Sequence, residues 1–205
     1  MDQKQVIAKL LLDSEAVFLR PEDPFTWTSG IKSPVYCDNR LLISSVESRR
    51  TIIQAFVALI KKMDINVIAG TATAGIPWAA WIAEEMDLPL IYVRSSEKAH
   101  GRQNAIEGRA PEQGRAVLIE DLVSTGKSSV AAAQRLTEAG VGVEKVLSIF
   151  TYGFDSAAKA FKDGGFSYES LTGFEVLAQV AYDEKKLDQG SLTEVLNWRK
   201  ATGST

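Results

Sequence analysis

Short apolar runs alternate along the chain with longer stretches in which apolar residues recur every three or four positions. The runs have the composition of buried parallel strands, and the stretches have the period of amphipathic helices. Strands are predicted at 66–70, 90–93, 117–119 and 146–151. Helices are predicted from the residue after Ser44 to Met63, over 76–86 and over 127–139. This alternation predicts an α/β fold with a doubly wound, mainly parallel sheet flanked by helices, whose ligands bind outside the carboxyl edge.

The two ends of the chain depart from this alternation. Residues 1–43 combine a short helix with strand-like pieces, and we expect them to form a small N-terminal hood over the ligand edge. Residues 44–205 form the predicted core and a C-terminal helix, and Ser44 and Glu47 have the spacing of a capping box. The sequence shows no linker or repeat, so one domain is predicted over residues 1–205.

The segment 117–129, with the sequence VLIEDLVSTGKSS, is the most informative part of the chain. The predicted strand leads directly into Glu120 and Asp121, and the small residues 124–126 separate it from a helical pattern that begins at Lys127. Unpaired backbone N–H groups at the start of a helix bind phosphate, because they lie at the positive end of the helix dipole. Carboxylates accept hydrogen bonds from vicinal ribose hydroxyls. The segment therefore predicts a site for a ribose 5-phosphate.

Small residues in this loop support that interpretation. Gly126 allows the backbone to approach a ligand closely, and Ser124, Thr125 and Ser128 can add hydroxyl donors. The alternative is an acidic pair that caps the helix and stays solvated, but such caps lie in the first turn, whereas these acids precede the loop. The spacing matches neither a Walker A loop nor a dinucleotide-binding G-x-G-x-x-G motif.

The length, composition and charge of the chain limit the kinds of protein that it can be. A chain of 205 residues with 45% hydrophobic content is long enough for one domain with a sizeable core. A net charge of -3 argues against nucleic acid as the main partner. The single cysteine, Cys37, allows no intrachain disulfide, and no apolar run reaches the length of a membrane span. We therefore expect a soluble, cytoplasmic protein that has no membrane partner.

A second loop of small residues follows the predicted strand 66–70 and precedes a helix. Its backbone N–H groups are suited to a second anion, such as pyrophosphate. The alternative is a tight turn that binds nothing. The candidate residues of this loop are Thr71, Ala72, Thr73, Ala74 and Gly75.

Residues 94–109 form a long basic stretch between two predicted strands. Long loops of this kind are often lids, and a basic lid could close over pyrophosphate and exclude water. The alternative is an ordinary solvated loop. Because the chain has one histidine, His100, a site of several histidines is excluded and zinc is discounted. The basic residues of the stretch are Arg94, Lys98, His100, Arg102 and Arg109.

The segment 27–36 is rich in turn-forming and aromatic residues. Its backbone groups, Lys32 and an aromatic wall could hold a planar, acidic base, and the alternative is a surface hairpin. Trp78 and Trp81 lie on a helical pattern, so we expect them to be packing residues and not a platform for a base.

Three segments together resemble the orotate phosphoribosyltransferase family of type I phosphoribosyltransferases: TSGIKSPVYCDNR (28–40), YVRSSEKAHGRQNAIEG (92–108) and the segment 117–129. The resemblance implies transfer of ribose 5-phosphate from phosphoribosyl pyrophosphate (PRPP) to N1 of orotate. The products would be orotidine 5′-monophosphate and pyrophosphate, in the biosynthesis of UMP. It also implies Mg²⁺ that is carried mainly by PRPP, and a homodimer with shared active sites.

The resemblance also implies roles for individual residues. Lys98, Glu120 and Asp121 would be catalytic. Arg94, Lys98 and His100 would contact pyrophosphate across the dimer interface, and Ser124 would reach orotate. The contact of Lys32 with orotate is a separate hypothesis, which the resemblance does not imply. The residues implied to bind PRPP through the loop and strand are Glu120, Asp121, Leu122, Val123, Ser124, Thr125, Gly126, Lys127 and Ser128.

Some positions depart from the pattern of this family. Thr28, Ala74 and Tyr152 stand where certain branches carry basic residues. Two alternatives to the main interpretation are therefore retained. The first is a phosphoribosyltransferase for another base, and the second is a non-catalytic regulator that senses PRPP.

Overall fold

The protein is described by a computed structural model that covers residues 1–27, 30, 32–94 and 105–203. Its strands are β1 Val17–Leu19, β2 Phe25–Thr26, β3 Lys32–Ser33, β4 Val35–Cys37, β5 Val67–Thr71, β6 Leu90–Val93, β7 Ile106–Glu107, β8 Arg115–Val123, β9 Gly142–Thr151 and β10 Tyr168–Gly173. Its helices are α1 Gln3–Asp13, α2 Val46–Ile60, α3 Gly75–Met86, α4 Lys127–Glu138, α5 Asp155–Gly164, α6 Phe174–Asp183 and α7 Gln189–Gly203, with a 3₁₀ helix at Asn39–Ser44.

Six strands form the central sheet in the order β10-β9-β8-β5-β6-β7. All neighbouring strands are parallel except β6 and β7, which are antiparallel. Gly70 of β5 pairs with Ile119 of β8, so the carboxyl ends of these two central strands lie side by side. The loops that follow both strands therefore meet at one edge of the sheet.

Alternating residues of the strands face two separate hydrophobic layers. Ile68 and Ile119 face the layer formed with α1, α2, α3, α6 and α7. Ala69 and Leu118 face the layer formed with α4 and α5. The predicted doubly wound, mainly parallel sheet is confirmed, since helices cover both faces. Trp78 is fully buried and meets Trp81 edge to face at 5.4 Å, which confirms that both are packing residues.

The predicted capping box was wrong by one residue. Ser45 is the N-cap of α2, and its hydroxyl accepts a hydrogen bond from the backbone N–H of Ser48 at 3.2 Å. Ser44 still belongs to the preceding 3₁₀ helix, whose turn is closed by the bond from Ser45 N–H to the Leu42 carbonyl. Because the 3₁₀ helix includes Ser44, the N-cap of α2 is the next residue, Ser45.

Trp27 of the predicted hood contacts residues at the carboxyl edge of the sheet, whereas α1 of the same segment packs into the layer with α2 and α6. β1 pairs with β4, and β2 pairs with β3, both antiparallel. Trp27 lies 5.4 Å from the ring of Tyr152, which follows β9, and 5.9 Å from Trp198 of α7. Trp198 in turn donates a hydrogen bond from Nε1 to the carbonyl of Lys32 at 2.9 Å. The C-terminal helix therefore contacts the hood. Among the described residues, no helix is long and apolar enough to cross a membrane.

Candidate active site

The acidic pair lies within β8, which continues to Val123 and so extends beyond the predicted strand. Glu120 is 8% exposed, and the hydroxyl of Ser129 on α4 donates a hydrogen bond to its Oε2 at 3.2 Å. The backbone N–H of Asp121 donates to Glu120 Oε1 at 3.1 Å. Two carboxyl groups are thus held at the carboxyl end of the central strand.

Burial raises the pKa values of both carboxyl groups. It raises the pKa of Glu120 to about 8, and the negative charge of Asp121 contributes to the rise. Burial also raises the pKa of Asp121. Hydrogen-bond donors supplied by a ligand would replace the lost hydration and favour the ionised forms. The site is therefore suited to a ligand that carries hydroxyl groups.

Glu120→Gln is expected to stabilise the ligand-free protein at neutral pH. The folded wild type holds the Glu120 proton up to about pH 8, whereas the unfolded chain ionises near pH 4.5. The unfolded state therefore binds fewer protons between these values, and the free energy of unfolding falls as pH rises through that window. Because glutamine does not ionise, the variant lacks this fall in the free energy of unfolding, which is on the order of a few kcal/mol. Urea unfolding at a series of pH values measures it.

Glu138→Gln is the matched control for this experiment, because Glu138 is exposed at the end of the same helix that supplies Ser129. Its unfolding free energy should follow the wild-type pH dependence. If Glu120→Gln also retains the wild-type decline between pH 4.5 and 8, Glu120 does not carry the buried proton.

The loop after β8 leads into an uncapped helix. Gly126 has a φ of 75° and is the N-cap of α4, and no described side chain caps this helix. A Cβ at Gly126 would lie 3.0 Å from a ring carbon of Phe161, so both the backbone conformation and the space favour glycine. The first N–H groups of α4 therefore have no side-chain acceptor among the described residues and are suited to bind an anion.

A cleft of about 360 Å³ brings most of the predicted groups together. The loop after β5 forms one side, and the acidic pair and the start of α4 form the other. Its lining includes Thr71, Ala72, Thr73, Ala74, Arg94, Glu120, Asp121, Leu122 and Ser128. The two loops predicted from sequence thus face a common space. Val123 lies apart from it, buried in the hydrophobic layer beside α4 and α5.

The loop after β5 is fastened to both neighbouring strands. The Thr71 hydroxyl donates to the carbonyl of Ile119 at 3.2 Å, and the N–H of Ala72 donates to the carbonyl of Val93 at 2.8 Å. The Ala72–Thr73 peptide bond is cis. At Gly75, a Cβ would overlap the Ile119 carbonyl oxygen. Gly75 therefore allows α3 to approach β8 and does not itself line the cleft.

Arg94 directly follows β6 and lines the cleft. Its Nη1 lies 3.6 Å from Glu107 Oε1 on β7, and its carbonyl accepts a hydrogen bond from Arg135 Nη1 at 2.7 Å. Arg135 also lines the cleft, and sequence reasoning missed it. Arg135 follows Ser128 by seven residues, about two helical turns, so both lie on one face of α4. This spacing is the feature of the sequence from which Arg135 could have been predicted.

Three further residues around this loop line a second cavity of about 750 Å³. Two aromatic residues, Trp27 and Phe154, are among its lining residues, and Tyr152 stacks on Phe154 at 5.4 Å. Sequence reasoning did not identify Phe154, which follows β9. The predicted site residues in this cavity are Ser124, Thr125 and Lys127.

Several predicted residues lie elsewhere. Lys32 is exposed on β3 and is not among the lining residues of either cavity, so its role with orotate stays a prediction. Lys98 and His100 lie outside the described residues, as do Thr28 and Arg102. Among the described residues, no group of three or more His, Cys, Asp or Glu side chains is arranged to hold a metal ion.

Comparison with known proteins gives relatives that match almost the whole chain. An orotate phosphoribosyltransferase of Coxiella burnetii is 48% identical over 202 residues, which are 98% of this chain and 97% of the relative. The crystal structure of an orotate phosphoribosyltransferase from Aeropyrum pernix has a TM-score of 0.76 and 28% identity, over 89% of this chain and 99% of that one.

A larger protein contains the same fold. The structure of Leishmania donovani UMP synthase has a TM-score of 0.79 and 30% identity, over 96% of this chain. The chain spans 42% of the length of that protein. No protein-family model matches the chain.

Proposed function

The chain belongs to the orotate phosphoribosyltransferase family, and from this premise we propose how its site transfers ribose 5-phosphate from PRPP to N1 of orotate. The products are orotidine 5′-monophosphate and pyrophosphate, so the protein is a pentosyltransferase. One observation carries the proposal: buried Glu120 and half-buried Asp121 lie near the carboxyl end of the strand whose loop leads into the uncapped helix α4.

PRPP is proposed to bind across the two loops. Its ribose hydroxyls donate to Glu120 and Asp121, and its 5-phosphate accepts from the loop hydroxyls and the first N–H groups of α4. Its pyrophosphate extends toward the loop 71–75 and Arg94, which share the cleft with the acidic pair. Lys98 and His100 are proposed to reach pyrophosphate from the partner subunit.

Breaking the bond between C1′ and pyrophosphate leaves positive charge on the ribose ring, as in glycoside chemistry. The carboxylates of Glu120 and Asp121 orient the ring and favour that charge. Arg94, and by proposal Lys98, favour the negative charge of the departing pyrophosphate. Mg²⁺, if carried by PRPP, would supply further positive charge beside Arg94. The carboxylate oxygens of Glu120 and Asp121, which line the cleft, are of the kind that Mg²⁺ prefers, so the cleft fits a metal that would arrive with PRPP.

Orotate is proposed to bind in the aromatic cavity beside the phosphate loop. Trp27 and Phe154 offer flat apolar walls for the planar ring, and Ser124 offers a hydroxyl at the boundary with the loop. Lys32 remains a proposed contact for the acidic base.

A homodimer is proposed as the functional form. Leu41 and Val46 are exposed, and close by the guanidinium of Arg49 lies 4.8 Å from the centroid of the Trp81 ring. Exposed apolar side chains with Arg and Trp are typical of interfaces between subunits. This face is proposed to contact a second copy of the chain. The small-molecule partners are orotate and PRPP, and a cytoplasmic location is proposed because the single cysteine fits a reducing compartment.

Phosphorus NMR of the protein with orotate, PRPP and Mg²⁺ tests the proposed reaction. We expect orotidine 5′-monophosphate and pyrophosphate to form in equal amounts as PRPP disappears. PRPP that binds but is not consumed in the presence of orotate would contradict the proposal and favour the non-catalytic regulator.

A further inference from the structure

Asn39 belongs to the hood segment, but its side chain reaches the strand that carries the acidic pair. Its Nδ2 donates a hydrogen bond to the backbone carbonyl of Asp121 at 2.7 Å. Asn39 is 1% exposed, so the bond is shielded from water. Through this bond the N-terminal segment contacts the carboxyl end of β8.

The carbonyl of Asp121 needs such a donor because β8 is longer than its neighbour β5. Pairing between the two strands ends where Gly70 meets Ile119. The Ile119 carbonyl is then satisfied by the Thr71 hydroxyl. Backbone carbonyls alternate in direction along a strand, so the Asp121 carbonyl points to the same side, beyond the end of β5. Asn39 therefore supplies the donor that a longer β5 would have supplied.

The orientation of the Asn39 amide is also fixed. Cys37 Sγ donates to Asn39 Oδ1 at 3.4 Å. Burial, together with the carboxylates of Asp121 and Asp38, raises the pKa of the Cys37 thiol, so the sulfur keeps its hydrogen. With Oδ1 facing the thiol, Nδ2 faces the carbonyl of Asp121, which can only accept.

We infer that Asn39 is a positioning residue, which holds the backbone of Asp121 so that its carboxylate meets the ribose of PRPP. This inference rests on the proposed function and deepens it. Loss of the bond leaves the Asp121 carbonyl without its donor and so destabilises the present position of the end of β8. A shift of about 1 Å in a group that positions substrate costs about 100-fold in rate.

Asn39→Ala tests the inference, with Asn66→Ala as the matched control. Asn66 also binds β8, but at its opposite end, where its Oδ1 accepts from the N–H of Arg115 at 2.8 Å. We expect Asn39→Ala to lower kcat/KM for PRPP roughly 10- to 100-fold and to leave the KM for orotate within about threefold. Asn66→Ala should leave both values within about twofold of the wild type. Thermal midpoints verify that the variants are folded.

A second variant covers the case in which alanine disrupts the fold. Asn39→Leu keeps the branched shape of the side chain but has no donor at any pH, so we expect the same fall in kcat/KM for PRPP. Wild-type kcat/KM in either folded variant would overturn the inference, and so would an equal loss in Asn66→Ala. Absence of orotate turnover by the wild-type protein would instead contradict the proposed function.

Discussion

Replacing Asp121 with asparagine is expected to lower kcat about 100- to 1,000-fold, because a charge that stabilises the transition state is lost. Asparagine keeps the size of the side chain and one acceptor oxygen, but it cannot favour the positive charge that develops on ribose. The fold should be unaffected, since burial already raises the pKa of Asp121 and the neutral side chain is easier to bury. Steady-state kinetics with saturating PRPP and orotate measure the change.

The control for this variant is Asp64→Asn. The Asp64 side chain is 86% exposed and pairs with Arg115 at the opposite edge of the sheet, where β8 begins. Its replacement should leave kcat within about twofold of the wild type. Near-normal kcat and KM in a folded Asp121→Asn variant would remove Asp121 from the proposed machinery.

Mixing two inactive variants is expected to restore activity if active sites are shared between subunits. Asp121→Asn removes a carboxylate from the active site on its own subunit. Lys98→Ala is proposed to remove an ammonium group from the active site of the partner subunit. A dimer with one subunit of each kind therefore holds one intact site and one doubly damaged site. Random mixing should restore about a quarter of wild-type activity, because half of the dimers are mixed.

The matched control mixes Asp121→Asn with Glu120→Gln. Both substitutions lie on the same strand, so every site of a mixed dimer lacks one carboxylate, and activity should stay low. Distinct affinity tags on the two chains verify that mixed dimers form. Verified mixed dimers of Asp121→Asn and Lys98→Ala that stay inactive would contradict shared sites.

Much of the fold was predictable because the central strands are buried on both faces. β5, β6, β8 and β9 carry short apolar runs, and the helices between them have a clear period. β10 was not predicted because it lies at an edge of the sheet and its residues 168–170 are only half-buried. β7 has two residues, too few for any periodic signal.

The residues of the candidate site also divide into those that the local sequence could reveal and those that only the tertiary fold brings together. Glu120, Asp121 and Gly126 lie within a few residues of one another, so their shared role follows from local order. Asn39 is 82 positions away from Asp121, and only the tertiary fold brings the two together. Phe154 likewise joins Trp27 through the packing of the hood segment against the end of β9. Contacts between residues that are far apart along the chain produce no periodic pattern in the sequence, so they could not be predicted from it.

The most direct test of the account is the loss of orotate absorbance in the presence of PRPP, with and without Mg²⁺. Parallel reactions contain uracil, hypoxanthine or adenine in place of orotate. We expect orotate to be consumed only when Mg²⁺ is present, and none of the other bases to be used. Consumption of another base while orotate is untouched would contradict this expectation, and the aromatic cavity would then have to be assigned to that base.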